Sequence, residues 1–371
     1  MPHRGSVQIQ ARHEAQPAGS CPPPIRPLRG LSAAATDKAS SEARPGLVDA
    51  AKERVGNYQA QNRPNEDKLQ PGLLAFLEWL PDHGCISLAR DILKLNSDKD
   101  LYDVYHNLLT ALATPMKARS KQGSITASPH PKRQNNVDIA AITLDEPQTC
   151  LDAFRDQCLK RDSHRCVVTG EMENDRWYKE GASDDVHHGF LEAAHIIPFA
   201  YASWDSSSRP PEKISIQWEA LWRYFPEVRR LGMQVETINN LYNGITLSSY
   251  IHAAFGQFHI AFKPTDTENV YERKIYRRFP SLLRRTLPES NRIEILRAED
   301  AQDFELPNAT LLDCHWRLAE ILNASGMAEI IDRNRRDWED LKGSAGGQLR
   351  EDGGTDFGQY LRVALWERMV S

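Results

Sequence analysis

Three side chains stand in an order that suits water activation at a phosphorus centre: His195 in LEAAHIIPF (residues 191–199), then Asn243 and His252 in NGITLSSYIHAAFG (residues 243–256). Hydrolysing a phosphodiester needs an in-line water, a base to take its proton, and a cation to neutralise charge on the phosphate and the departing oxygen. Histidine suits the base because its pKa lies near working pH, and a second imidazole suits a metal ion. An asparagine between them either braces a loop or holds the base through its amide. Singly, each residue has a duller reading: a histidine in an apolar run is usually a satisfied buried one, a helical histidine usually packs, and Asn-Gly is a hairpin turn signal. The order of all three, His195, Asn243 and His252, is what favours chemistry.

The elements that must position them follow from periodicity. An apolar-rich strand runs into His195 and is closed by Pro198, and a second strand leads into a helix that carries His252, so both imidazoles sit on rigid elements across a small cleft. Upstream, Thr149 is a candidate cap for a helix through Leu151, Phe154 and Leu159 to Arg161, followed by RDSHRCVVTG as a short strand and turn. Residues 171–189 read as a long polar loop. Trp218, Leu221, Trp222 and Phe225 give an insertion helix with an aromatic packing face. After His252, FHIAFKP and VYERKIYRRF alternate as strands and should pair across TDTEN, with Tyr271, Arg273, Ile275 and Arg277 on one side. Asn308 caps a helix with Leu311, Leu312, Leu318, Ile321 and Leu322 as its stripe and Gly326 as its stop, and a further helix runs from Met327 to Leu341.

The rest of the chain divides by composition. Residues 1–68, rich in Pro, Ala, Ser, Arg and Gln, read as a disordered arm. Residues 71–118 hold three short helices, punctuated by Pro81 with Gly84, by Ser97 as a cap and by Pro115; they form a small bundle or dock on the larger domain. Residues 119–144 read as a flexible basic linker, 145–280 as the catalytic-type domain, 281–342 as a C-terminal helical extension, and 343–371 as a tail with a possible docking helix. A length of 371 residues with 40% hydrophobic and 26% charged residues allows a sizeable core, and a net charge of −5 excludes a uniformly basic coat while leaving room for a local basic face. The cysteines, at 21, 85, 150, 158, 166 and 314, form no CxxC pair, as expected of reduced thiols in an intracellular protein, with nucleus or cytoplasm left open. No run has the length of a membrane span and the start lacks a secretory apolar core.

RDSHRCVVTG, LEAAHIIPF, the run from Ile238 to Phe262 and LPNATLLDCHWRLAEILNASGM at 306–327 together resemble the HNH endonucleases of the type common in fungal genomes. The resemblance covers roughly residues 150–330. It implies an α+β chain with a ββα-metal core carrying added strands and helices, a DNA substrate, and a divalent ion, Mg²⁺ first, with Mn²⁺ or Zn²⁺ as alternatives. By it His195 is the general base, Asn243 the middle asparagine and His252 the metal ligand. Many such enzymes place an acid or histidine before the first histidine, where this chain has Ala194, and Gly256 stands where a second helical ligand would be. Glu192 should face the opposite side of its strand, whereas His187 and His188 in the preceding loop are possible metal helpers. No Cys₄ zinc knot can form, because Thr169 takes the position paired with Cys166 and Ser248 and Ile251 occupy the other pair. Arg273, Lys274, Arg277 and Arg278, with Arg284 and Arg285 beyond, form a basic cluster suited to phosphate contact without base readout. The rival expectation is a catalytically silent scaffold that binds DNA or protein, which Ala194 favours.

Overall fold

The computed structural model describes residues 44–117, 125–144, 146–149, 151–204 and 211–344, and these described residues belong to one unit. Helix α1 (Arg44–Gly56) packs Ala51 and Val55 against α3, so the stretch 44–68 is ordered and not part of an arm. Its few apolar residues look insufficient in isolation and become a helix face only against a partner. The remainder of the expected arm lies outside the described residues. Helices α2 (Leu69–Trp79), α3 (Asp82–Leu93) and α4 (Asp98–Asn107) are the three short helices expected here, and Ser97 caps α4 by accepting from the Asp100 N–H at 3.1 Å. The chain continues through a π turn, Leu108–Ala113, into Thr114–Met116. Gly84 lies inside α3 and closes nothing: a Cβ there would sit 2.0 Å from Tyr224 O, so glycine is what lets two backbones touch.

The basic stretch expected to be a flexible linker contains α5 (Pro131–Thr143), packed on α8 (Glu212–Tyr224). Arg133 is only 3% exposed; its Nε reaches both Glu219 oxygens at 3.1 Å and its Nη1 donates to Asn107 Oδ1 at 3.1 Å. A residue that reads as a solvated tether is thus the buried peg of a helix, because its acid partner is 86 positions away.

Helix α6 (Asp152–Arg161) starts after Leu151; Thr149 does not cap it, and the Thr149 carbonyl accepts from Asn239. The expected strand at RDSHRCVVTG is a turn with an isolated bridge from Arg165 to Met172. The expected long loop holds β1 (Met172–Glu173), α7 (Asn174–Lys179) and β2 (His188–Gly189), with β1 and β2 parallel. Then comes the positioning unit. Strand β3 (Leu191–His195) pairs antiparallel with β4 (Gly244–Ser248), His195 opposite Gly244 and Leu191 opposite Ser248, and β4 runs directly into α10 (Ser249–Gly256). The insertion between the strands carries α8 and α9 (Pro226–Arg230), with Trp218 and Leu221 fully buried.

Beyond α10, β5 (Ile260–Pro264) and β6 (Val270–Ile275) form the expected hairpin, to which β7 (Arg292–Glu294) adds a third antiparallel strand. Helix α11 (Ala309–Ser325) is capped by Asn308, ends at Gly326, and packs on both β5 and α2, which joins the early helices to the later sheet. Helix α12 (Met327–Ser344) is the last element described. Among the described residues no helix is long and apolar enough to cross a membrane.

Gly84→Ala is expected to lower the urea midpoint at unchanged slope, by about 1–3 kcal/mol of stability, since α3 and the end of α8 must part to admit one methyl group.

Candidate active site

His195 ends β3 with its ring stacked on Phe154 of α6, centroids 4.1 Å apart and planes within 15°, and with Phe199 tilted against its other surroundings at 5.6 Å. That cover pushes its pKa down to about 4; the Asn239 hydrogen bond opposes the burial and His252 adds a small push the same way. The imidazole is therefore neutral at physiological pH. Its Nε2–H donates to Asn239 Oδ1 at 3.1 Å, and the Asn239 amide donates to Thr149 O at 3.0 Å, which fixes the acceptor side of that amide toward the ring. This tautomer leaves the Nδ1 lone pair available for a proton.

Asn243 is fully buried and its amide lies against backbone, not against the imidazole. Nδ2 donates to Ile197 O at 3.1 Å and Ile238 O at 2.9 Å, and Oδ1 accepts from Ile197 N at 2.8 Å. Of the two roles open to it, loop brace and holder of the His195 imidazole, it takes the first: it staples the exit of β3 to the entry of β4. Asn239 takes the second. The phrase INNLYN at 238–243 presents several asparagines, and only the turn geometry decides which one reaches His195.

Gly244, opposite His195, has a packing reason for its identity. A Cβ there would meet Cys158 Sγ at 2.6 Å and Phe154 Cζ at 2.7 Å, so α6 lies directly on β4. Beneath it Arg161 and Asp162 form a buried bidentate pair, with Arg161 Nη1 donating to Leu241 O (2.8 Å) and Glu305 O (3.1 Å), Nη2 to Gly244 O (3.0 Å), and Asp162 Oδ2 accepting from Thr246 N (3.1 Å).

His252, in the first turns of α10, is half-buried and hydrogen-bonded through Nδ1 to Glu192 Oε2. The expectation for Glu192 was wrong. Antiparallel pairing sets Glu192 opposite Leu247, and α10, starting two residues later, turns back over the start of β3. With Nδ1–H donated to a carboxylate, the ring is held in the tautomer whose Nε2 can bind a metal. Ala194 has no exposure and offers nothing to an ion.

His187 and His188 stay apart from this pair. His188 stacks on Trp177 at 3.7 Å and meets Asn174 Oδ1 through Nδ1 at 2.7 Å; His187 is exposed, its carbonyl accepting from Met172. Among the described residues no three His, Cys, Asp or Glu side chains gather as a metal cluster. Cys166 is buried, and nearby Glu171 Oε2 accepts from Thr169 Oγ1 (2.9 Å) and from the Tyr250 O–H (2.7 Å). His315, left outside the site by sequence, stacks on both Phe255 and Phe258 and donates its Nε2–H to Phe255 O at 3.0 Å; burial pushes its pKa down to about 3.

The basic cluster does not form one face. Arg273 is 5% exposed, with Nη2 donating to Pro288 O at 2.7 Å, and burial lowers its pKa. The loop before β7 closes over it, which alternation along β6 alone could not show. Lys274 pairs with Glu272 at 2.7 Å, and Arg278 with Glu329 at 2.6 Å and Asp332 at 2.9 Å. Arg277 alone of the four is exposed without an ion pair among the described residues.

Residues 166–263 match the HNH_2 family model, described as HNH endonuclease. The match opens at Cys166 in the turn and closes at Lys263 in β5, taking in β3, β4, α10 and the insertion. An HNH domain is thus present in an α+β frame. Neither the curated proteins nor the solved structures yield a match.

NMR titration is expected to find the His195 ring taking its proton near pH 4, and Phe154→Leu to move that midpoint up toward the ordinary value of about 6.5. The sign for stability follows. Between about 6.5 and 4 the unfolded imidazole holds a proton that the folded one refuses, so stability falls as pH drops through that window and the loss levels off below it. A thermal midpoint that does not fall between pH 6.5 and 4 would contradict this burial.

Proposed function

We propose that the chain is a metal-dependent endonuclease that hydrolyses DNA phosphodiester bonds with His195 as general base and His252 as metal ligand. The observation that carries it is a neutral imidazole at the end of one strand, held by Asn239 with no partner on Nδ1 among the described residues, and a carboxylate-braced histidine on the helix that follows the partner strand. The HNH match over the same elements supports a nuclease reading.

The residues present fit a hard divalent ion that keeps most of its water. One braced imidazole, with Glu192 alongside, is too small a donor set for a closed four-ligand site and suits Mg²⁺, or Mn²⁺, better than structural Zn²⁺. When bound, such an ion would supply charge neutralisation on the phosphate and the leaving oxygen. The chain's own residues do the rest. His195 Nδ1 takes the proton of the attacking water, while Nε2–H stays on Asn239 Oδ1 and keeps the ring from rotating. Asn243 fixes the loop from Ile197 to Ile238 behind the ring.

A silent scaffold that binds DNA or protein is the second reading, and the buried Ala194 with so few ligands at His252 favours it. Plasmid nicking in Mg²⁺ or Mn²⁺ separates the two. The nuclease reading expects nicking that falls by about 10²–10⁴ in His195→Ala and is lost in His252→Ala; nicking that survives His195→Ala, or none by the unaltered chain, rejects it. Glu192→Gln is expected to weaken Mn²⁺ binding, read by calorimetry, about 10–100-fold.

A further inference from the structure

We propose that Phe190 is a stacking platform for one unpaired base of a DNA strand whose neighbouring phosphate lies at His252, so that the chain prefers single-stranded to duplex substrate. The position of the phosphate rests on the nuclease reading; the platform rests on the ring and its mounting.

Exposure picks out this ring. Among the residues with described side chains, Phe190 (78% exposed) and Tyr178 (69%) are the exposed aromatics, and every other Phe, Tyr and Trp is buried or half-buried. Both belong to the stretch that leads into β3, where Trp177 stacks on His188 at 3.7 Å and meets Tyr178 edge-on at 4.9 Å. Scattered exposed aliphatics such as Ile142 and Leu296 are ordinary surface, whereas exposed aromatics confined to one stretch beside the site are not scattered.

The backbone under the ring is fixed to the helix that carries His252. Phe190 O accepts from Ser249 N and from Ser249 Oγ, both at 3.0 Å, at the start of α10. Ser249 and His252 are three positions apart and so neighbours on one face of that helix, about 5–6 Å between Cβ atoms. Exposure runs outward at Phe190, inward at Leu191 and outward at Glu192, and Glu192 is the residue that holds His252. Phe190 and Glu192 therefore leave the chain on the same side, about 7 Å apart along it. Two hydrogen-bonded points, Phe190 with Ser249 and Glu192 with His252, set the ring and the imidazole side by side.

A base inside a duplex has both faces covered by its neighbours, whereas an unpaired base offers a π face that stacks on a phenyl ring whatever the sequence. Charge sorts base from phosphate. Asp175, Asp184 and Asp185 are exposed without an ion pair among the described residues, so the stretch before Phe190 repels phosphate and has ring faces to offer; the phosphate then lies toward His252.

Binding of the full chain to a labelled single-stranded oligonucleotide and to the matching duplex is measured by anisotropy, with chelator present to prevent turnover. Phe190→Ala is expected to weaken single-strand binding by about 5- to 150-fold, the range for loss of one stacked base, and to leave duplex binding unchanged. Phe190→Trp should restore single-strand binding, and Phe190→Leu, apolar but without a ring face, should not. An abasic single strand keeps the phosphates and lacks the bases, and the unaltered chain and Phe190→Ala should bind it alike. With the ring so exposed, none of these changes should disturb the fold. Equal losses on duplex and single strand, full binding by Phe190→Leu, or no single-strand binding by the unaltered chain overturns the platform. So does a change in self-association in Phe190→Ala, read by sedimentation, with single-strand binding unmoved, since the ring would then serve a second copy. Cleavage in Mg²⁺ is scored separately. A ring effect on binding without cleavage by any chain keeps the platform and removes the nuclease reading; cleavage without a ring effect does the reverse.

Discussion

Arg161 and Asp162, neighbours in sequence and both without exposed side-chain surface, hold the end of α6, the turn at Leu241, strand β4 and the segment at Glu305 to one point. A charge so deep is tolerated only when its donors and acceptors are used, and the Arg161 nitrogens are spent on two carboxylate oxygens and three carbonyls. The rest of the site depends on that fixture. It sets α6 on β4 so closely that residue 244 must be glycine, and it thereby places Phe154 over His195. The low affinity of His195 for a proton is thus a consequence of where an ion pair anchors a helix.

Burial and hydrogen bonding divide the labour among the asparagines in a way chemistry alone does not dictate. Asn243 gives its whole amide to backbone groups, because the exit of β3 and the entry of β4 would otherwise leave buried N–H and C=O groups unmatched. Asn239, less buried, has an oxygen to spare for the imidazole. The His195 ring is oriented by a side chain on the insertion's return path, so the insertion belongs to the candidate site even though its aromatic helix only packs.

The histidine order, the helix that carries His252, the β5–β6 hairpin and the stripe of α11 were legible because each is written in periodicity or spacing within a few tens of residues. Glu192, Asn239 and Arg133 were not. Each acquires its meaning from a partner far along the chain: His252 for Glu192, His195 for Asn239, Glu219 for Arg133. Arg273 shows the same limit in reverse, since alternation along β6 says which residues share a side and nothing about a loop that folds over that side. A polar residue's role is set by tertiary contact, and composition reads it as solvent-facing by default.

On the proposed reading of His252 as a metal ligand, the small number of ligands and the bracing of that ring belong together. A site with several protein ligands can select its ion by cage size; one with a single imidazole cannot, and it must leave the ion's remaining coordination to water and substrate. Precision then has to come from how firmly that imidazole is aimed. Glu192 supplies the aim from β3, the strand that also ends in His195, so both imidazoles are referenced to the same five-residue element.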